Sequence, residues 1–475
     1  MDFVTLNPDV LATRYASNQM QDIWSLNNKI IAERNLWILV LKTQKELGLN
    51  INEQAINAYE KVVNEINLDS IRKREEKTRH DVKARIEEFN ALAGFEEIHK
   101  GLTSRDITEN IEQLQIKKSL ELVQFKTVAV LAILSKLATE YSDLAIAGRS
   151  HNVAAQTTTL GKRFASAIEE LLISFEKLNH FLSSYPLRGF KGPVGTSQDL
   201  LDLFEQNESK VNSFEEKIAK NLGFEKVLNS VGQIYPRSLD FDAISTLYSL
   251  SSPLSSLAIS IRLMAGNDLV TEGFKEGQVG SSAMPHKMNT RSCERINGLH
   301  SVLKGFLSMA SDISGQQWNE GDVSCSVVRR VSLPGAFYAI DGLLETTLTV
   351  LNEFGVFKGA IKKELEKYLP FLATSKILMA AVKKGVGREK AHELIKKHST
   401  AAAFALRDGK SFDLLEDLAN EKELNLSKND LEQILKDELK SIGNAKNQVA
   451  EVVKKVEKIA KNFPEATKYK PHNIL

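Results

Sequence analysis

Four short polar segments interrupt a chain otherwise rich in helix formers: TRHDV (78–82), HKGLTSRD (99–106), GRSHNVAAQTTTLGKR (148–163) and GSSAMPHKMN (280–289). Each sets a histidine or a hydroxyl beside a group that binds anions. Imidazole titrates near neutral pH and can pass a proton, while ammonium and guanidinium groups hold carboxylate or phosphate. The chemistry these types allow is proton transfer on a small anionic molecule. Taken singly, each segment has a plainer reading. A lone His80 or His99 can be a capping or core-satisfied ring, and the pairs Thr103/Ser104 and Thr158/Thr159 can be helix caps. Four such segments in one chain are harder to explain that way. The last belongs to a longer stretch, GQVGSSAMPHKMNTRSCERING (277–298), too polar for a core and too elaborate for a simple turn.

Composition narrows the partners. The 475 residues carry 62 Lys plus Arg against 61 Asp plus Glu, a formal net charge of +1. That balance argues against bulk nucleic acid or an anionic membrane as the main partner and leaves anion binding local. The longest uncharged run, 243–261, holds seven serines, a threonine and Pro253, which suits a buried helix better than a membrane span. Two cysteines, Cys293 and Cys325, make no disulfide framework and no CxxC pair, and the N-terminus lacks the pattern of a secretory signal. A reduced, cytoplasmic setting is expected. GVGREK (385–390) lacks the glycines of a dinucleotide loop and reads as a turn between helices, and His392, Glu393 and His398 lack HExxH spacing. Nothing in these patterns asks for a metal or a nucleotide cofactor.

The elements that must position the segments are helices. Val449, Val452, Val453, Val456 and Ile459 share one helical face, and Ile244, Leu247, Ser251, Leu254, Ala258 and Ile261 form a second seam with small residues. Between Ile116 and Leu137 the apolar residues are dense enough for burial on several sides. Period-two runs are scarce, so the expectation is an all-α protein with long central helices. LRGFKGPVGTSQ (187–198) breaks the central region, and YLPFLATSK (368–376) precedes a lysine-rich end. Three units are expected: 1–112, 113–364 and 365–475.

GSSAMPHKMN resembles the signature loop of the fumarase/aspartase superfamily, G-S-S-x-M-P-x-K-x-N; GRSH with AQTTTLGKR resembles a second shared segment and HKGLTSRD a first. The resemblance runs from Arg14 into the C-terminal unit. It implies three α-helical domains around a central long-helix bundle, a homotetramer whose active sites draw on three chains, and elimination of fumarate from a succinyl group. TRHDV, HKGLTS and SAMPHK together are most similar to the branch that cleaves adenylosuccinate. Two departures stand out: Thr290 replaces the proline that usually follows K-x-N, which bears on loop rigidity, and RSH replaces the common RTH while keeping a hydroxyl at Ser150.

What the resemblance implies for residues is specific. Ser281 is the general base and His151 the acid that protonates the departing purine amine. His80, within Arg79–His80–Asp81, stands as neighbour of His151 or as substrate contact. Lys287, Asn289, Thr103, Ser104 and Thr158 are donors for the succinyl carboxylates and the developing enediolate, and His99 belongs to the same set. Arg14, Tyr15, Arg295, Ser326 and Arg330 serve the nucleotide, chiefly its phosphate, and Gln233 binds substrate. A serine hydroxyl needs activation to act as a base, which loop amides and Lys287 could supply. The substrate expected is a succinylated purine nucleotide, including the succinylamino-imidazole carboxamide ribotide. An argininosuccinate lyase or carboxymuconate cycloisomerase would share Ser281, Lys287 and His151 but lack Arg14, Tyr15, Ser326 and Arg330. A non-catalytic protein on the same scaffold would have lost acid, base or lysine positions that are all present here.

Overall fold

Thr103 opens the longest helix of the chain. Its N–H donates to Asp106 Oδ2 at 2.8 Å, the backbone half of a capping pattern that marks a helix start. From there 37 residues, Ser104–Glu140, run as one helix, about 55 Å long. In this computed structural model, residues 9–273, 284, 286–440 and 442–472 are described. The expected dense burial is present: Ile116, Leu120, Val123, Val128, Val130, Leu131 and Leu134 have no exposed surface. By length and composition this helix could cross a membrane, but 61% of its apolar window is buried against protein, as befits the axis of a bundle.

Four further helices surround it: Leu160–Ser184, Ser238–Ala265, Arg291–Ile313 and Cys325–Glu353, the second to fifth of the bundle. The first packs on the second and fifth, the third on the second, fourth and fifth, and the fourth on the fifth. The seam expected on the third helix is buried at all six positions. Pro253 lies inside that helix and cannot donate to the carbonyl four residues back. Ser174 of the second helix donates to that Ser249 carbonyl instead, through Oγ at 3.0 Å.

The fold class is all-α, with three large apolar cores and two small ones among the described residues. The largest fills the bundle and includes Val449, Val452 and Val456 of the C-terminal helix Ala445–Ala460. The second, around Trp37, Tyr59 and Phe89, also takes in Phe190, Phe204 and Phe214 from the stretch after the second bundle helix. The third gathers residues from Ala373 to Leu431. The long helix runs through residue 112, so the border expected there falls within a continuous element.

Two small antiparallel sheets are the exception to the helical plan. Val270–Thr271 pairs with Gly355–Val356. Ala145–Ser150 pairs with Val153–Thr159 in a hairpin whose last register pair is Ser150 with Val153. Its two turn residues, His151 and Asn152, both have positive φ, 51° and 61°, as a tight two-residue hairpin turn demands.

Candidate active site

The sequence-expected residues fall into separate groups on one chain. The first lines a cleft between the N-terminal helices and the start of the fifth bundle helix: His80, Asp81, Ser104, Ser326 and Arg330 all face it. Arg79 ends one helix in the left-handed region, φ 52°, and His80 begins the next, its Nδ1 accepting the Lys83 N–H at 3.1 Å. The ring is therefore held as a cap while its other nitrogen is left for a ligand. Asp81 accepts from the Val82 N–H at 2.8 Å and pairs with Arg85 at 3.1 Å. Burial pushes its carboxyl up, but the Arg85 charge and these hydrogen bonds outweigh that and hold it low. Ser326 and Arg330 stand one turn apart at the N-terminus of the fifth helix, where the helix dipole favours an anion, although the Ser324 and Ser326 amides already donate to Asp322 Oδ1 and Val323 O.

Thr103 directly precedes Ser104 of that lining. Its hydroxyl is buried and has no hydrogen-bond partner among the described residues, and Thr108 Oγ1, in the cleft lining, is in the same state. Buried donors of this kind fit a bound polar molecule. His99 is fixed differently. Trp37 Nε1–H donates to its Nδ1 at 3.2 Å, and burial lowers the imidazole to about 4. That ring is neutral at pH 7 and carries its proton on Nε2.

The wall of the cleft includes a largely buried ionic network that sequence reasoning missed, with Arg105, Glu112 and Arg329 in the lining. Arg329 pairs with Asp240 and Glu112, each at 2.7 Å, and donates to the Tyr235 hydroxyl. Arg237 pairs with Glu109 at 2.9 Å, and Arg105 reaches the same carboxylate at 3.2 Å. Burial opposes charge on Glu112, yet Arg329 and Lys29 hold its carboxyl far below the usual range. Arg188, fully buried, pairs with Asp106 at 2.7 Å and donates to the carbonyls of Gly189, Gly192 and Gly232. It thereby ties LRGFKGPVG to the Thr103 cap and to the segment of Gln233, whose N–H donates to Glu320 O at 2.5 Å. The available signal was a set of charges on otherwise apolar helices (Glu109, Glu112, Asp240) and the arginine of the glycine-rich break.

A second group lies elsewhere. Lys287 and Asn289 line a cleft with Asp268, Glu294 and the end of the third bundle helix, and that cleft shares no lining residue with the first. Ser281 lies outside the described residues. Thr290 stands at the N-cap position of the fourth bundle helix, where proline is usual, without a side-chain cap hydrogen bond, and the buried Glu272 carboxylate accepts the Ser292 and Cys293 amides instead, each at 2.8 Å. Cys293 is fully buried, and burial with Glu272 nearby raises its thiol far out of the reactive range.

His151 and Thr158 form a third group on the hairpin, which the scarcity of period-two runs had not foretold. His151 is exposed at its tip, and Thr158 pairs with Ile146. Gly148 is required where it stands, since a Cβ would come within 2.6 Å of Gln156 O. The hairpin is tied to the chain on both sides of the expected 364/365 border, through Arg149–Glu364 and a 3.2 Å Gln156–Ser375 contact.

The fourth group is Arg14, Tyr15 and Arg295. The Arg295 guanidinium lies 5.6 Å over the Tyr15 ring. Burial and the like charges of Arg14 and Arg291 lower its pKa, opposed by Tyr15 and Glu272. Crowded cations of this kind suit an anion. Tyr15 abuts Gly342 of the fifth helix, twelve residues past Arg330 and so about 18 Å along the axis. One chain thus holds two groups of expected phosphate ligands that stand apart along the fifth helix. No cluster of three or more His, Cys, Asp or Glu suited to a metal occurs among the described residues.

Comparison with known proteins bears on the family and the fold. The family described as "Lyase" matches residues 10–305, and that described as "Adenylosuccinate lyase C-terminus" matches 370–452. The adenylosuccinate lyase of Saccharomyces cerevisiae is 37% identical over 454 residues, covering 94% of this chain and 93% of the yeast protein. That of Schistosoma mansoni is 33% identical over 86% of this chain and 87% of its own. Among solved structures, the 3-carboxy-cis,cis-muconate lactonizing enzyme of Pseudomonas putida superposes with a TM-score of 0.82 at 19% identity, covering 95% of this chain and all of that one. A fumarate lyase from Mesorhizobium superposes with a TM-score of 0.79 at 20% identity, over 93% of this chain and 98% of its own.

Proposed function

The chain belongs to the adenylosuccinate lyase family of the fumarase/aspartase superfamily, and from that premise we propose how its residues divide the work of the reaction. The activity is that of a carbon–nitrogen lyase: fumarate is eliminated from adenylosuccinate, leaving AMP, a step of purine nucleotide biosynthesis. We infer that the succinylamino-imidazole carboxamide ribotide is cleaved by the same site, since the succinyl and phosphate ends of the two molecules present the same groups.

In the proposed mechanism Ser281 removes the proton from the carbon beside a succinyl carboxylate. The resulting negative charge spreads into that carboxylate, where Lys287, Asn289, Thr103, Ser104 and Thr158 donate to it. The carbon–nitrogen bond breaks, and His151 protonates the departing amine. His80, with Arg79 and Asp81 beside it, contacts substrate next to His151, and His99 and Gln233 complete the binding set. Arg14, Tyr15, Arg295, Ser326 and Arg330 take the phosphate.

One observation carries the reading that the working unit is a homotetramer with shared sites. The four groups of candidate residues lie apart on one chain, each suited to a different part of one substrate. Exposed apolar residues spaced one turn apart on the bundle, Ile259 with Leu263 and Val327 with Val331, support the same reading. A symmetric assembly would cover such faces and repeat each shared site. Two free, buried cysteines fit the cytoplasmic location we propose.

Mixing tests the division directly. Ser281→Ala and His151→Ala proteins, each inactive, are combined after partial dissociation and assayed for fumarate release. Random reassembly gives roughly a quarter of sites free of either defect if the two residues come from different chains. Proven subunit exchange without recovered activity would place both in one chain.

A further inference from the structure

A second buried charge cluster lies away from every cleft named above, and the catalytic proposal makes no use of it. Lys126 of the first bundle helix and Asp341 and Glu345 of the fifth have no exposed surface. The Lys126 ammonium contacts Ser17 Oγ at 2.9 Å, Asp341 Oδ1 at 2.5 Å and Glu345 Oε1 at 2.7 Å, so all three of its protons have partners. Asp341 Oδ2 accepts the Ser17 N–H at 2.6 Å. Glu345 is held from the far end of the chain, by the Tyr469 hydroxyl and the His472 N–H, each at 2.5 Å.

What this cluster grips is the chain just past Tyr15. Ser17 caps the helix Asn18–Trp24 and stands two residues beyond Tyr15. On the other side Gly342, next to Asp341, touches Tyr15 so closely that a Cβ there would come within 2.7 Å of the Tyr15 Cβ. The Arg14–Tyr15 turn is therefore pinned to the fifth helix from both sides, opposite Arg295. Two carboxylates sharing one ammonium also make each donor indispensable, because a buried charge without its partners is costly.

We propose that Lys126 and Asp341 are positioning residues for the phosphate end of the site, fixing the Arg14–Tyr15 turn, and that the C-terminal segment Tyr469–His472 completes them through Glu345. This rests on the reading of Arg14, Tyr15 and Arg295 as phosphate ligands. Occupancy of the phosphate site and docking of the C-terminus are then linked, although the chain positions lie more than 450 residues apart.

The test compares AMP with adenosine, which differ only in the phosphate, as ligands of the assembled full-length protein. Calorimetry would follow binding of each to wild type, Asp341→Asn and the milder variants Ser17→Ala and Tyr469→Phe. The proposal expects AMP affinity to fall about tenfold or more in Asp341→Asn, since small displacements of binding groups are costly, with smaller falls in the other two and adenosine affinity unchanged. In turnover, KM for adenylosuccinate rises while kcat holds. Equal losses for AMP and adenosine, or unchanged AMP affinity in all three folded variants, would overturn the positioning role. If Asp341→Asn fails to fold, the selective AMP loss in Ser17→Ala and Tyr469→Phe decides. A wild type that binds AMP no better than adenosine would remove the phosphate reading itself, and the proposal with it.

Discussion

The two sides of the candidate site are built by opposite means. Along the wall formed by the first and fifth bundle helices runs a base of buried charge: Arg329 with Asp240 and Glu112, Arg237 with Glu109, Arg188 with Asp106. On the hairpin and beside the signature loop, His151 and Lys287 are exposed, and His151 sits at positive φ. That conformation costs a non-glycine residue on the order of 1 kcal/mol or more and persists only where the surroundings impose it. The difference matches the tasks proposed. Of the groups proposed to act on substrate, the phosphate ligands Ser326 and Arg330 stand on the supported wall, whereas the proton donor His151 and the carboxylate donor Lys287 stand outside it.

The sharpest way to break this comparison is to remove one group from each side. His151→Ala is expected to lower kcat by about 10²–10⁴ while substrate still binds, because it removes a proton donor and leaves the anion contacts in place. Arg330→Ala is expected to act mainly on KM. Steady-state kinetics on both variants decide the matter, and a kcat loss in Arg330→Ala at unchanged KM would erase the distinction between the walls.

Removing a buried support comes next in size. Arg329→Met leaves Glu112 and Asp240 buried without their partner, and loss of one member of such a set costs about 3–5 kcal/mol. Urea unfolding of the assembled protein should show this as a lower midpoint. A change under about 1 kcal/mol, the range of exposed pairs, would mean the network is solvated and the wall is not preorganised by it.

The smallest effect expected concerns pH. His99 has a folded pKa of about 4 against 6.5 for the free group. Between those values the unfolded chain takes up a proton that the folded chain refuses, so stability falls as pH drops from about 6.5 towards 4. His99→Gln should flatten the stability profile in that window and leave it unchanged above pH 7. An unchanged slope would mean that His99 is protonated in the folded protein and is not the buried acceptor of Trp37.

How much of this was legible in the sequence differs by residue. Arg329 and Arg330 are adjacent, chemically alike and both in the cleft lining, yet one is buried in a network and the other is exposed. On a helix they point about 100° apart, and only the packing partners decide which direction faces protein. The segment resemblance singled out Arg330 and passed over Arg329. His99 had been open to two readings, and a tryptophan 62 positions away in sequence resolves its immediate partner. The resemblance singled out His151, but not its place on a two-residue turn, because neither turn position, His151 nor Asn152, is the glycine that usually announces one.

Sequence alone determined the helical class, the buried seams and the set of residue types able to do the chemistry. Those follow from local periodicity and from short segments whose members lie within a few positions of one another. It also determined the family, since loop and hydroxyl segments keep their spacing wherever they are placed in space. Only the tertiary structure decided which charges meet: Lys126 with Asp341 and Glu345, Arg188 with Asp106 and Gly232, Arg329 with Glu112. Those pairs join elements up to more than 200 residues apart, as Lys126 and Asp341 show. A buried ion acquires its partner from whatever the packing brings within about 3 Å, and no local pattern in the chain records that distance.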